Sequence, residues 1–329
     1  MAKAMKKKLS WKLLFFGLAL VLISVILYSG LQILESTVFY TPGPMEVEVR
    51  KTVTKDGISY YPRQDITTVL VMGIDQRGPV KLSEEPNNGN FVDMAAVVVI
   101  DEKAEDCTIL NINRDTMLTM PALNEKGWEE GVYFGQLAYS HSYGRGGEDS
   151  CENTRKTISN FLYGIPMDYY IAMNMDVVEI LNDAVGGVTV VVRDDFSNVD
   201  STIPMGVTQL KGSQALAFVQ SRGGVGDELN LSRMERQKEY INRFVEVFQE
   251  KNQGSDTFLL KTYNKAAPYL VSDLSLSTLS AMMERYDGYT IGDTLSLTGE
   301  NKLGKEHYEF YPDEEAMEEL ILKLFYAPK

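Results

Sequence analysis

Thr67–Gly73 (TTVLVMG), Met94–Asp101 (MAAVVVID) and Cys107–Asn113 (CTILNIN) are short, β-branched and almost continuously apolar, the pattern of strands buried on both faces. They predict the centre of a sheet. Downstream, strand-like and helix-like periods alternate. Asp149 followed by Glu152 reads as an N-cap with its reciprocal acid, opening a helix that runs through Tyr163 and stops before Gly164 and Pro166. Tyr169–Met173 reads as a strand, Asp176–Ala184 as a helix ended by Gly186 and Gly187, and Val188–Val192 as another strand. Lys211–Val219 reads as a short helix and Leu231–Lys251 as a long one, with Met234, Ile241, Val245 and Phe248 as its apolar stripe. After Asp256 the pattern suggests two or three amphipathic helices, then a strand and a helix around Tyr308–Tyr326. Strands interleaved with helices predict a layered α-β-α fold of the α/β class around a central mixed sheet.

Working outward to the N-terminus, Lys3, Lys6, Lys7, Lys8 and Lys12 precede the uncharged stretch Leu13–Leu34, which as a helix rises ~33 Å and matches a bilayer core. It reads as a membrane span rather than a cleaved leader, because no small-residue cleavage pattern follows it. Lysines on the N-terminal flank orient that end to the cytoplasm. The expected organisation is a cytoplasmic tail at 1–12, a transmembrane helix at 13–34, an extracytoplasmic stalk or peripheral hairpin at 35–64, a main domain at 65–250, and C-terminal helices at 251–329 integral to it. A single-pass cell-membrane protein with its main domain outside is the expected location. The chain of 329 residues is 44% hydrophobic, ample for one sizeable core, and carries a formal net charge of −14. Such acidity argues against a nucleic-acid partner, whose binding depends on neutralising phosphates. The two cysteines, Cys107 and Cys151, suit a disulfide in an oxidising compartment or a pair of buried thiols.

Charged residues concentrate where the strands end, the usual location of binding sites in open α/β sheets. Gly73-Ile74-Asp75-Gln76-Arg77 follows the first run, Asp93 precedes the second, and Asn113-Arg114-Asp115-Thr116 follows the third. If the first two strands are antiparallel neighbours, Asp75 and Asp93 reach one edge of the sheet and can share a magnesium ion, which takes one or two carboxylates plus phosphate oxygens and water. Solvated turns with local ion pairs are the competing reading. Ser142–Gly147, with Arg145, enters a helix start and suits an anion, or is merely a flexible loop. Arg222, Arg233, Arg236 and Gln237 form a basic cluster in an acidic chain, suited to phosphate or answered by Glu235 and Glu239. With His141 and His307 as its only histidines, the chain has no serine or cysteine nucleophile paired with a base.

Together these segments resemble the LytR-CpsA-Psr family of bacterial cell-envelope proteins. The blocks run in order: Gly73–Arg77, Asp93-Met94, Asn113–Thr116, the loop at Tyr143, Gly164–Tyr170 with Val185–Val188, and Leu210–Gln237. The resemblance implies a membrane-anchored phosphotransferase that moves a glycopolymer, such as teichoic acid or capsular polysaccharide, from an undecaprenyl-pyrophosphate carrier to peptidoglycan. By that analogy Asp75 and Asp93 hold Mg2+, while Arg77, Arg114, Arg222, Arg233, Arg236 and Gln237 bind the pyrophosphate; Arg145 is expected to join them, compensating for arginines that the family commonly has and this chain lacks. Asp75, Arg77, Asp93 and Arg114 would be the catalytic set, either acid also accepting the hydroxyl proton, although a metal-bound carboxylate is a poor base. The alternative within the resemblance is a non-catalytic membrane regulator or sensor of lipid-linked pyrophosphate. This chain departs from the family pattern at Phe91 and Gln220, where arginine is common, and at Asn230, where aspartate is common.

Overall fold

In the computed structural model, residues 52–329 are described apart from 85–88, 125–126, 222, 226–229, 254–256, 276–277, 279–280, 283–284, 287 and 305–306. The expected tail at 1–12 and span at 13–34 lie outside these residues. Among the described residues no helix is long and apolar enough to cross a membrane.

Val53–Lys55 (β1) and Ile58–Pro62 (β2) form a hairpin across Asp56-Gly57, both at positive φ, the two-residue turn that matches strand twist. Within the segment read as a stalk, this part is therefore built into the domain. The three apolar runs become Ile66–Ile74 (β3), Val92–Asp101 (β4) and Asp106–Ile112 (β5), joined as antiparallel neighbours. Met117–Leu123 (β6) and Glu129–Gln136 (β7) form a second hairpin, which the sequence pattern did not disclose because Pro121 and the exposed Val132 and Phe134 blur its alternation.

Glu148–Phe161 (α1) opens from Gly147, so Asp149 lies inside the helix and does not cap it; its carboxylate instead receives the backbone N–H of Arg145 at 2.9 Å. Then come Tyr169–Asn174 (β8), Asp176–Ala184 (α2), Val188–Val192 (β9), Gly206–Leu210 (β10) and Ser213–Gln220 (α3). Asn230–Gln253 (α4) buries Tyr240, Phe244, Val245 and Phe248, whereas Ile241 is exposed. The buried aromatics set its face. After 256 the chain contains more strand than expected: Phe258–Ala266 (α5), Leu270–Ser272 (β11), Thr290–Ser296 (β12), Gly299–Leu303 (β13), Tyr308–Pro312 (β14), Glu314–Phe325 (α6) and Tyr326–Pro328 (β15).

The main sheet has the order β11-β8-β3-β4-β5-β12, and it is mixed: β8 runs parallel to β3 and β12 parallel to β5, while the other pairs are antiparallel. One face, with Leu70, Met72, Val97, Val99 and Leu110, packs against α1 and α6. The other, with Val69, Val71, Val98 and Ile171, packs against α2 and α5. Burying such a side chain contributes about 1.5–3 kcal/mol, and near-complete burial of both faces of β3 and β4 makes them the core. A third cluster joins β9 and β10 to α3 and α4. At the periphery β15 pairs with β2, completing a three-stranded sheet.

The expected disulfide is not formed. Cys107 belongs to the α5 side of the sheet and Cys151, on α1, to the opposite side, and a sheet between two sulfurs forbids the ~2 Å bond. Burial pushes the Cys107 thiol up to about 12 and that of Cys151 well above its usual value. Native protein is expected to react with neither thiol in a chromogenic assay and to release both on denaturation, with a melting midpoint insensitive to reductant.

His141 is buried, its Nδ1 3.1 Å from the Asn90 carbonyl, and burial lowers its pKa to about 4 from 6.5. The unfolded chain therefore binds the proton first. Stability is full above about pH 6.5 and falls by up to about 1.4 kcal/mol per pH unit as pH drops towards 4. Urea midpoints of wild type and His141→Asn, compared across that range, check this: the variant is expected to have the shallower pH slope.

Candidate functional site

Because β4 is antiparallel to both β3 and β5, the ends of β3 and β5 lie beside the start of β4. Asp75 follows β3, Asp93 is the second residue of β4, and Arg114 follows β5. The register pairs Gly73 with Met94 and then Ile74 with Val92, so Asp93 is the extra residue of a β-bulge. A bulge bends its strand and re-aims a side chain. The Asp75 N–H donates to the Phe91 carbonyl at 2.8 Å, continuing the pairing past the bulge.

The side chains meet there. Arg114 Nη1 donates to Asp93 Oδ1, and its Nε lies 3.5 Å from Asp115 Oδ1. The turn that carries Arg114 is closed by Asn113, whose side-chain oxygen receives the Asp115 N–H at 3.0 Å and whose carbonyl receives the Thr116 hydroxyl at 2.6 Å. Burial raises the Asp93 pKa above the usual carboxylate range; the charge of Asp75 adds to the rise, while Arg114 and Arg233 oppose it. Asp75, Asp93, Arg114 and Arg233, the last in the first turn of α4, therefore share one electrostatic neighbourhood.

Arg77, Arg145, Arg236 and Gln237 have protein partners of their own. Arg77 Nη1 bonds Asp176 at 2.7 Å and Glu179 at 2.9 Å on α2. Arg145 Nε pairs with Asp149 at 3.2 Å. Around it the glycine loop folds onto its own helix: Gly146 N–H donates to Ser150 Oγ at 2.8 Å, and a Cβ at Gly144 would collide with that oxygen. Arg236 is buried, bonding the Phe218 and Ser221 carbonyls and, at 2.6 Å, Asp194, with its guanidinium over the Phe196 ring. Gln237 donates to the Val219 carbonyl at 3.0 Å. Arg236 and Gln237 thus tie α4 to the end of α3; Arg222 lies outside the described residues. Where the family commonly has arginine, Phe91 packs edge-on against Tyr139 with centroids 5.3 Å apart, and Gln220 is exposed at the end of α3.

Two residues at the site escaped the sequence reading. Asp115 stands next to Arg114 in a block already singled out, and Gln136, at the end of β7, is a buried glutamine. A long amide closing an otherwise exposed apolar strand was the available signal.

The donor set at the edge fits magnesium. Two carboxylates are brought to one edge, where burial and the Asp75 charge raise the Asp93 pKa, and a hard cation between them favours the ionised form of both. Among the described residues no cluster of three or more acidic, histidine or cysteine side chains is suited to a metal, so such an ion would complete its shell with water and phosphate oxygens.

The LytR_cpsA_psr family pattern matches residues 42–325. TagV of Bacillus subtilis (strain 168), named a polyisoprenyl-teichoic acid–peptidoglycan teichoic acid transferase, is 29% identical over 241 residues, which are 69% of this chain and 57% of TagV. TagU of Halalkalibacterium halodurans, of the same name, is 27% identical over 260 residues, 77% of this chain and 76% of its own. The crystal structure of B. subtilis TagV has a TM-score of 0.57 at 26% identity, covering 80% of this chain and 96% of the crystallised chain. The structure of TagT bound to LI-WTA has the same fold, with a TM-score of 0.57 at 21% identity over 87% of this chain and 98% of the solved chain. With the family pattern spanning residues 42–325, this chain belongs to the LytR_cpsA_psr family.

Proposed function

We propose that this chain is a membrane-anchored transferase, facing the outside of the cell, that moves a cell-wall glycopolymer from a polyprenyl-pyrophosphate carrier to peptidoglycan through a phosphodiester. The observation that carries the reading is the Asp93–Arg114 pair at the β4 bulge, with Asp75 and Arg233 in its field. The transferase names of TagV and TagU support it.

In this reading an acceptor hydroxyl attacks the phosphorus that carries the glycopolymer. The P–O bond to the second phosphate breaks, polyprenyl phosphate leaves with the electron pair, and the hydroxyl proton passes to the carboxylate of Asp75 or Asp93 and from there to water. Magnesium held by Asp75 and Asp93 would neutralise charge on the phosphate oxygens. Arg114 and Arg233 bind those oxygens and oppose the negative charge that grows on the leaving group, electrostatic work suited to a preformed site. Arg114 is half-exposed, so it can turn from Asp93 to a substrate without unfolding anything. Arg77, Arg145 and Arg236 hold the surrounding elements through their own carboxylates.

The full-length chain in detergent, given polyprenyl-pyrophosphate-linked glycan and peptidoglycan, is expected to transfer glycan only with magnesium. Arg114→Ala and Asp75→Ala are expected to lose about a hundredfold or more in rate while melting near the wild-type temperature. Binding of the lipid-linked glycan without transfer would favour a sensor, and no binding at all would overturn both readings. Arg236→Ala is expected to behave differently: removing a buried charged partner costs about 3 kcal/mol of folding stability, read as a lower denaturation midpoint.

A further inference from the structure

Gln136 is 8% exposed, and a buried amide is costly unless its protons find acceptors. Its Nε2 donates to the Tyr308 carbonyl at 2.7 Å and to Asp115 Oδ1 at 3.2 Å. These two acceptors use both amide protons and fix which end of the side chain is nitrogen. The same Asp115 oxygen faces Arg114 Nε at 3.5 Å. The backbone of Asp115 is held from both sides, its N–H on Asn113 Oδ1 at 3.0 Å and its carbonyl receiving the Phe310 N–H at 2.9 Å. A half-exposed ion pair stabilises a fold by at most about 1 kcal/mol, so this much fixation of one carboxylate is out of proportion to a stabilising role. Its geometric result is specific: the Nε edge of Arg114 lies at ion-pair distance from this held carboxylate, 3.5 Å, while the Nη1 end bonds Asp93 across the sheet edge.

We propose that Asp115, locked by Gln136, is the positioning residue for Arg114: it holds the Nε side of the guanidinium so that the far end sweeps between Asp93 and a pyrophosphate oxygen. Through the Tyr308 carbonyl this lock also couples the β13–β14 hairpin to the site. The inference rests on the transferase reading for the identity of the anion, but the lock itself exists without ligand.

The test uses the full-length chain in detergent with farnesyl pyrophosphate and magnesium chloride as probe. Wild type is compared with Asp115→Ala, Asp115→Asn, Gln136→Met, Arg114→Ala and the double variant Arg114→Ala with Asp115→Ala. Asp115→Ala and Gln136→Met are expected to weaken probe binding about tenfold, the worth of one charge-assisted hydrogen bond, and Asp115→Asn, which keeps the acceptor oxygen, less. On the Arg114→Ala background Asp115→Ala is expected to change binding no further. Equal losses on both backgrounds would overturn the proposal, because Asp115 would then act independently of Arg114. A second readout needs no ligand: the Nε–H signal of Arg114 in arginine-labelled protein, assigned by its absence in Arg114→Ala, is expected to shift and exchange faster in Asp115→Ala and Gln136→Met. An unmoved signal in both overturns the lock. If wild type fails to bind the probe while the signal moves, the positioning stands and the transferase reading falls.

Discussion

The antiparallel pairing of β3 with β4, broken in register once at Asp93, is the constraint on which the site depends. A strand's side chains alternate strictly, so a regular ladder would commit Asp93 to one face of a sheet whose faces are both filled with apolar side chains. One extra residue frees it from that choice and leaves it at the edge, where burial is partial and a charge is tolerable. The same antiparallel order carries the end of β5 to the same edge and with it Arg114. Opposite charges from two turns distant in sequence thus meet because three neighbouring strands alternate in direction.

The strands that make this edge were readable because they are buried on both faces, and a short, β-branched apolar run without polar alternation suits little else than a central strand. The charged residues at their ends were readable for the same reason, since each interrupts such a run. Where elements are half-exposed the pattern failed. β6 and β7 carry Val132 and Phe134 outward and Pro121 inward, and β11 to β13 are short enough that their apolar residues also fit a helical period. Arginine roles were the least legible. Arg77, Arg145 and Arg236 resemble Arg114 in the sequence, and only the positions of Asp176, Asp149 and Asp194 separate them. Those partners come from other elements, or from a helix start that has the pattern of a cap, so composition and spacing carry no trace of the pairing.

The arginines therefore divide by depth. Arg236 lies deep and satisfies two carbonyls and a carboxylate between α3 and α4, an arrangement that would leave bare polar groups if it were broken. Arg77 and Arg145 lie outside and fasten the flanks of the site at the modest strength of surface pairs. Arg114 combines partial exposure with two carboxylates within ion-pair distance, Asp93 and Asp115. An excess of acid over the whole chain, −14 in formal charge, makes a local positive edge more selective, because anions are repelled everywhere else.

The pairing of β15 with β2 has a temporal consequence. Residues 326–328 close onto residues 60–62, and Arg63 N–H donates to the Phe325 carbonyl at 2.8 Å, so segments separated by most of the chain complete one another. During synthesis the hairpin emerges early and waits, with one edge open, until nearly the whole described chain has left the ribosome. Such a seam cannot close before the last turn of α6 and the strand after it exist, and a chain without them presents the outer edge of β2 unpaired.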